Sequence, residues 1–211
     1  MNVPKRRSLS LVAGISLCGA LLGPGCAKPT GTNGPRIKDY AAARTAILVI
    51  DLQEDYTGPH AKQPYRDADK ILAVTNHLLE KARAEGNLVV FIENVETGAF
   101  VHFITGGLNA PGAPGTEMDS RLLRSPGTVT FIKQAPDAFS NPDLDAYLRE
   151  HQVDHVVITG LDAAVCVNAT TLGALNRGYK VTMETSAILT NTGNRMGAWA
   201  QKWRQAGAEV E

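Results

Sequence analysis

The stretch "DHVVITGLDAAVCVNATTLGALNRGYKVTMET", residues 154–185, decides how this chain folds. Residues 154–160 run through Val156, Val157, Ile158 and Thr159 to a glycine, a β-branched segment of strand length. Residues 179–185, "YKVTMET", form a second such segment, and the stretch between the two predicts a helix. A strand, a helix and a strand in about thirty residues make a crossover unit, with parallel strands and a right-handed connection.

The alternation extends outward in both directions. "TAILVID" (45–51) is an unbroken aliphatic run, as in a strand covered on both faces. "DADKILAVTNHLLEKARAEG" (67–86) predicts a helix with Ile71, Leu72, Leu78, Leu79 and Ala82 on its inner stripe and Gly86 as its stop. "NLVVFIE" (87–93) and "TVTFIK" (128–133) predict strands, the second with Val129, Phe131 and Lys133 on one side. "SNPDLDAYLREHQ" (140–152) predicts a helix capped by Ser140 or Asn141, with Pro142 in its first turn and Leu144, Tyr147 and Leu148 buried. "RMGAWAQKWRQAG" (195–207) predicts a last helix with Met196, Trp199 and Trp203 inward, before a short strand at 208–211.

The expected fold class is therefore α/β: a single doubly wound, mostly parallel sheet of about six strands with helices on both faces. Segment 98–127 is studded with Gly and Pro and predicts no regular structure. Its length suits a lid or partner surface as well as a passive insertion.

The 211 residues, 44% hydrophobic and 20% charged, suit one globular domain with a single core. A formal net charge of +0 leaves no basic surface for nucleic acid. The N-terminus differs from the rest. Lys5, Arg6 and Arg7 precede an apolar run from Leu9 to Leu22, then Cys26 and a Gly/Pro/Thr stretch. Residues 1–26 read as an export signal of lipoprotein type, with Cys26 as the lipidation site and 27–43 as a tether to a domain at 44–211. Ordinary cleavage, for example after Ala27, is the alternative and gives a soluble periplasmic protein; "KRRSL" also loosely resembles a twin-arginine signal. Either way the protein is exported, and the loss of three basic residues and no acidic ones leaves 18 basic against 21 acidic, a net −3.

Export makes Cys166 conspicuous. The other two of the three cysteines, Cys18 and Cys26, lie in the signal, so no disulfide partner remains. A buried cysteine is often a small hydrophobe, so position decides. Ligands of open parallel sheets bind beyond the carboxyl ends of the strands. Asp51 ends one predicted strand, Lys133 ends another, and Cys166 opens the helix that follows a third. A thiolate is favoured by a helix N-terminus and by an ammonium, while a carboxylate accepts and returns the proton. Those three residue types at that one rim suit nucleophilic catalysis.

The stretches "AILVIDLQEDY" and "KQAPDAFSNPDLDAYLREHQVDHVVITGLDAAVCVNATTLGALNRGYKV" resemble the isochorismatase-like cysteine hydrolase superfamily, over about residues 45–190. The resemblance implies a six-stranded parallel sheet, with Asp51 as the catalytic aspartate, Lys133 as the lysine and Cys166 as the nucleophile. It further implies a cis Leu161–Asp162 bond, an oxyanion hole from the N–H groups of Asp162 and Cys166, and pocket walls from Tyr56 and Phe139, for both of which ordinary core packing is an equal alternative. The implied reaction is hydrolysis of a small amide, carbamoyl or ureide substrate through a thioester. Family members often form oligomers, so the resemblance also implies a homo-oligomer.

Some residues depart from the family pattern. Residues 162–164 are "DAA", where many members carry a small residue, Thr and Asp; the Asp162 carboxylate then either caps the helix or opposes a thiolate. No Asp-x-His occurs in the chain and its five histidines are scattered, so neither a metal nor another cofactor is expected. Two rival readings stand beside the hydrolase. A thiol redox protein wants a resolving cysteine, and a catalytically silent binding module has no need of all three reactive residues.

Overall fold

Strand β1 (Arg44–Ile50) takes the middle of the molecule because both its faces are apolar: Ala46, Leu48 and Ile50 point one way, Ile47 and Val49 the other. In the computed structural model, which describes residues 30–191 and 195–211, five more strands flank it. They are β2 (Leu88–Asn94), β3 (Val129–Lys133), β4 (Val153–Gly160), β5 (Lys180–Ile188) and β6 (Glu209–Val210). The order is β3-β2-β1-β4-β5-β6, and every neighbouring pair is parallel. The reversal of order falls between β1 and β4, where an open parallel sheet leaves its ligand crevice.

The helices divide between the two faces. Helix α2 (Ala68–Ala84) buries Ile71, Leu72, Leu79 and Ala82 against Ile47 and Val49, with Thr75 also inward and Leu78 half-buried. Helices α4 (Pro142–Glu150), α5 (Cys166–Arg177) and α6 (Met196–Ala206) cover the opposite face, where Leu144, Leu148, Val167, Ala174 and Trp203 join Leu48 and Ile50. Asn141 is the cap of α4, its side chain accepting the Asp143 N–H. On α6, Trp203 is fully buried while Met196 and Trp199 are half-buried.

Gly160 ends β4 at φ +113°, and a Cβ there would lie 2.0 Å from the Ile50 oxygen. No other residue permits this approach, and it brings the ends of β1 and β4 together.

Two expectations need correction. The loop 98–127 is not without regular structure. Helix α3 (Ala99–Thr105) forms within it, because Gly98 and Gly106 bracket the apolar run "AFVHFIT" as caps rather than breaking it. The loop is also tied down. Glu54 and Asp55 of the short helix α1 (Glu54–Thr57) accept the backbone N–H groups of Ser120 and Asn109, and Asp119 accepts from Thr57 and Arg121.

The segment 27–43 is not a free tether throughout. Residues 31–37 dock as a strap along α5. Thr32 donates its N–H and hydroxyl to Asp137 Oδ2 at 2.6 and 2.7 Å, Arg177 donates to the oxygens of Thr32 and Asn33, and the Ile37 N–H donates to the Arg177 oxygen. A Cβ on Gly31 would meet Gly173 N at 2.2 Å, so the strap lies directly on the helix backbone. The export signal and Cys26 fall outside the described residues. Among the described residues no helix is long and apolar enough to cross a membrane.

Candidate active site

Parallel strands bring their carboxyl ends to one rim, and the chain places Asp51, Lys133 and Cys166 there from three separate elements. Asp51 is the residue after β1 and adopts φ 55°, turning the chain sharply out of the sheet. Lys133 closes β3, on the half-buried side of a strand that alternates inward and outward. Cys166 is the first residue of α5, beyond the β4 turn.

The three side chains meet. Lys133 Nζ donates to Asp51 Oδ2 at 2.9 Å and to Cys166 Sγ at 3.2 Å. Asp51 and Lys133 are buried, while Cys166 keeps partial exposure and is the free cysteine among the described residues. Asp51 Oδ1 is buried without a hydrogen-bond partner among the described residues, which leaves one carboxylate oxygen open to a proton.

Burial raises the Asp51 carboxyl above the ordinary aspartate value, and Lys133 only partly reverses this. Burial alone would lower the Lys133 ammonium, but the Asp51 carboxylate and the Cys166 sulfur outweigh it and the lysine stays charged. The Cys166 thiol is pushed well up, first by burial and then by the Asp51 carboxylate, with Lys133 opposing. At rest the thiol is thus neutral, and its proton leaves sulfur only as attack begins.

Asp162 follows the cis Leu161–Asp162 bond. Its carboxylate serves the turn: Oδ1 accepts the Ala164 N–H at 2.7 Å and Oδ2 the Asn191 N–H at 2.9 Å. Both oxygens are engaged by backbone donors, so the acidic residue in "DAA" is a local brace.

The two expected pocket aromatics both make packing contacts. Phe139 is a core residue, its ring 5.6 Å from that of Tyr179 and covered by the Arg177 guanidinium at 4.8 Å. The reason is the turn at 138–140, capped by Asp137, which folds the ring under α5. Tyr56 packs edge-on to Tyr65 and its hydroxyl accepts from Asn109 Nδ2. It lines a cleft of about 500 Å³ with Tyr65 and the start of α2. A larger cleft, about 690 Å³, runs from Arg66 and Lys70 to Leu189 and Asn191. Neither cleft is lined by a triad residue.

Two residues that sequence reasoning passed over complete the site. Asn94, the last residue of β2, accepts from Lys133 Nζ through Oδ1 at 3.3 Å, and Gln53 is fully buried against the Asn94 backbone. The strand-end rule that singled out Asp51 and Lys133 applies equally to the "FIEN" that ends β2; an amide simply lacks an obvious reactive role. Among the described residues no three His, Cys, Asp or Glu side chains converge in a metal-holding group.

Known proteins resemble this chain in sequence and fold. The model of the isochorismatase domain matches residues 45–211. An uncharacterised isochorismatase family protein of Bacillus subtilis is 29% identical over 148 residues, which cover 70% of this chain and 79% of that protein. A streptothricin hydrolase of Streptomyces noursei is 32% identical over 145 residues, 69% of this chain but only 54% of the relative. Among solved structures, an N-carbamoylsarcosine amidase from Thermoplasma acidophilum superposes with a TM-score of 0.71 at 26% identity, covering 80% of this chain and 95% of its own. The chain accordingly belongs to the isochorismatase family, within the isochorismatase-like hydrolase superfamily.

Proposed function

We propose that this protein is a cysteine amidohydrolase that cleaves a C–N bond in a small amide, carbamoyl or ureide substrate. The observation that carries the reading is the Lys133 ammonium, 2.9 Å from a carboxylate and 3.2 Å from a thiol at the sheet's ligand-binding rim. The relatives named streptothricin hydrolase and N-carbamoylsarcosine amidase support C–N cleavage as the reaction class.

In the proposed cycle, Cys166 Sγ attacks the substrate carbonyl carbon while its proton passes to Asp51. The oxyanion is held by the N–H groups of Asp162 and Cys166, and two such donors are worth several kcal/mol in acyl transfer. Collapse breaks the C–N bond, and Asp51 returns the proton to the leaving amine. Asp51 then takes a proton from water, whose oxygen attacks the thioester; the C–S bond breaks, the acid departs and the thiol is restored. Lys133 favours the ionised form of Asp51 and stabilises negative charge on sulfur during attack.

The test is an ammonia- and amine-release screen across small amides, ureides and carbamoyl compounds, with Cys166→Ala as the blank. Turnover that disappears in Cys166→Ala, Asp51→Ala and Lys133→Ala, with an acylated Cys166 seen by mass spectrometry, is the expected result. Peroxide consumption that depends on Cys166 but not on Lys133 would favour a redox protein instead. Tight binding of amides without turnover would favour a silent binding module. Export, lipidation at Cys26 and homo-oligomer formation remain part of the proposal; metabolic lipid labelling of wild type against Cys26→Ser, and sedimentation of the mature protein, test them.

A further inference from the structure

Lys133 belongs to the border strand of the sheet, two strands from β1, so its side chain has to pass the end of β2 to reach Asp51. The register pairs Asn94 with Lys133, which puts the Asn94 side chain beside that path. An ammonium has three N–H bonds, and three acceptors surround this one: Asp51 Oδ2 at 2.9 Å, Cys166 Sγ at 3.2 Å and Asn94 Oδ1 at 3.3 Å.

The carboxamide is itself held. Its Nδ2 donates to Glu96 Oε1 at 3.2 Å, which turns the oxygen rather than the amine toward Lys133. The Asn94 backbone is clasped from both sides by one side chain: Gln53 Oε1 accepts its N–H at 2.9 Å, and Gln53 Nε2 donates to its carbonyl at 3.0 Å. The second Nε2 hydrogen goes to the Thr116 oxygen in the 98–127 loop. Both hydrogen-bonding atoms of the buried Gln53 amide are thus engaged, each with a bond to the Asn94 backbone.

We infer that Asn94 is a positioning residue for the triad: its carboxamide oxygen holds the Lys133 ammonium against the Cys166 sulfur and keeps it from collapsing wholly onto Asp51. The inference rests on the reading of Cys166 as the nucleophile, but its test needs no substrate. With Asn94 shortened, one ammonium N–H loses its acceptor and the lysine swings toward the stronger anion. The sulfur then loses the charge that opposes its burial.

The experiment is the rate of Cys166 alkylation by iodoacetamide in the full chain, from about pH 5 to about pH 10 and followed at the Cys166 peptide by mass spectrometry. Asn94→Ala is expected to slow alkylation about tenfold across that range, as a midpoint raised by about one unit gives. A purely structural role for Asn94 would change the unfolding midpoint without moving the alkylation profile. A wild-type profile in Asn94→Ala overturns the inference. Should that variant fail to fold, the isosteric Asn94→Asp decides: a second carboxylate on the ammonium is expected to raise the midpoint too, and an unchanged midpoint overturns the inference. Failure of the amide screen leaves this profile unaffected, so the two readings fail separately.

Discussion

At Cys166 three influences compete, and their order predicts how the site responds to pH. Burial and the Asp51 carboxylate hold the thiol protonated, and Lys133 opposes them. Because the thiol is raised, Cys166 should alkylate more slowly than a free cysteine near neutral pH and accelerate only above the ordinary thiol value of about 8.5. Lys133→Met removes the ammonium that favours thiolate and should slow the reaction further below the midpoint, by about tenfold or more. Asp51 must be ionised to take the proton, and its own shift is upward. Turnover should therefore fall on the acid side at a pH above the ordinary aspartate value of about 3.9, as a pH–rate profile of kcat/KM will show. These residues were legible in the sequence because Asp and Lys are reactive types at strand ends and Cys166 opens the helix after a third strand. Asn94 and Gln53 were not, since their contribution is to hold a reactive group rather than to react. Phe139 was legible only as one of two alternatives, because an aromatic in a motif marks a packing site as readily as a pocket wall, and here it packs in the core.

At the scale of elements, the strand–helix alternation was readable because its signal is apolar periodicity. Helix α3 and the strap at 31–37 escaped because neither depends on that signal. The helix is set by its bracketing glycines, and the strap docks through backbone hydrogen bonds, a paired Thr32 and a close approach at Gly31. A Gly31→Val change puts a side chain into the α5 backbone and should lift the strap, leaving the buried Asp137 Oδ2 without its Thr32 donors. A buried acceptor left unpaired costs about 1–3 kcal/mol, readable as a lower midpoint in urea unfolding. An unchanged midpoint would mean that the strap contributes nothing to stability. Gly160 is less forgiving. Gly160→Ala forces a side chain into the Ile50 carbonyl at a positive φ and should cost about 3 kcal/mol or more, seen as loss of soluble native protein or of cooperative unfolding.

For the molecule as a whole, the order β3-β2-β1-β4-β5-β6 sets Lys133 on one border of the sheet, while Trp199 and Trp203 lie on α6 against β5 and β6 at the other. Intrinsic fluorescence is thus a lookout posted at the far gate. A border strand paired along one side is where partial opening begins. Fraying there would withdraw the ammonium while the indoles still glow as in the native state. In a urea titration, loss of turnover should precede the spectral change, and coincident curves would mean that the sheet yields all at once. For anyone judging the health of a preparation, the optical signal alone would then pass molecules that can no longer do chemistry.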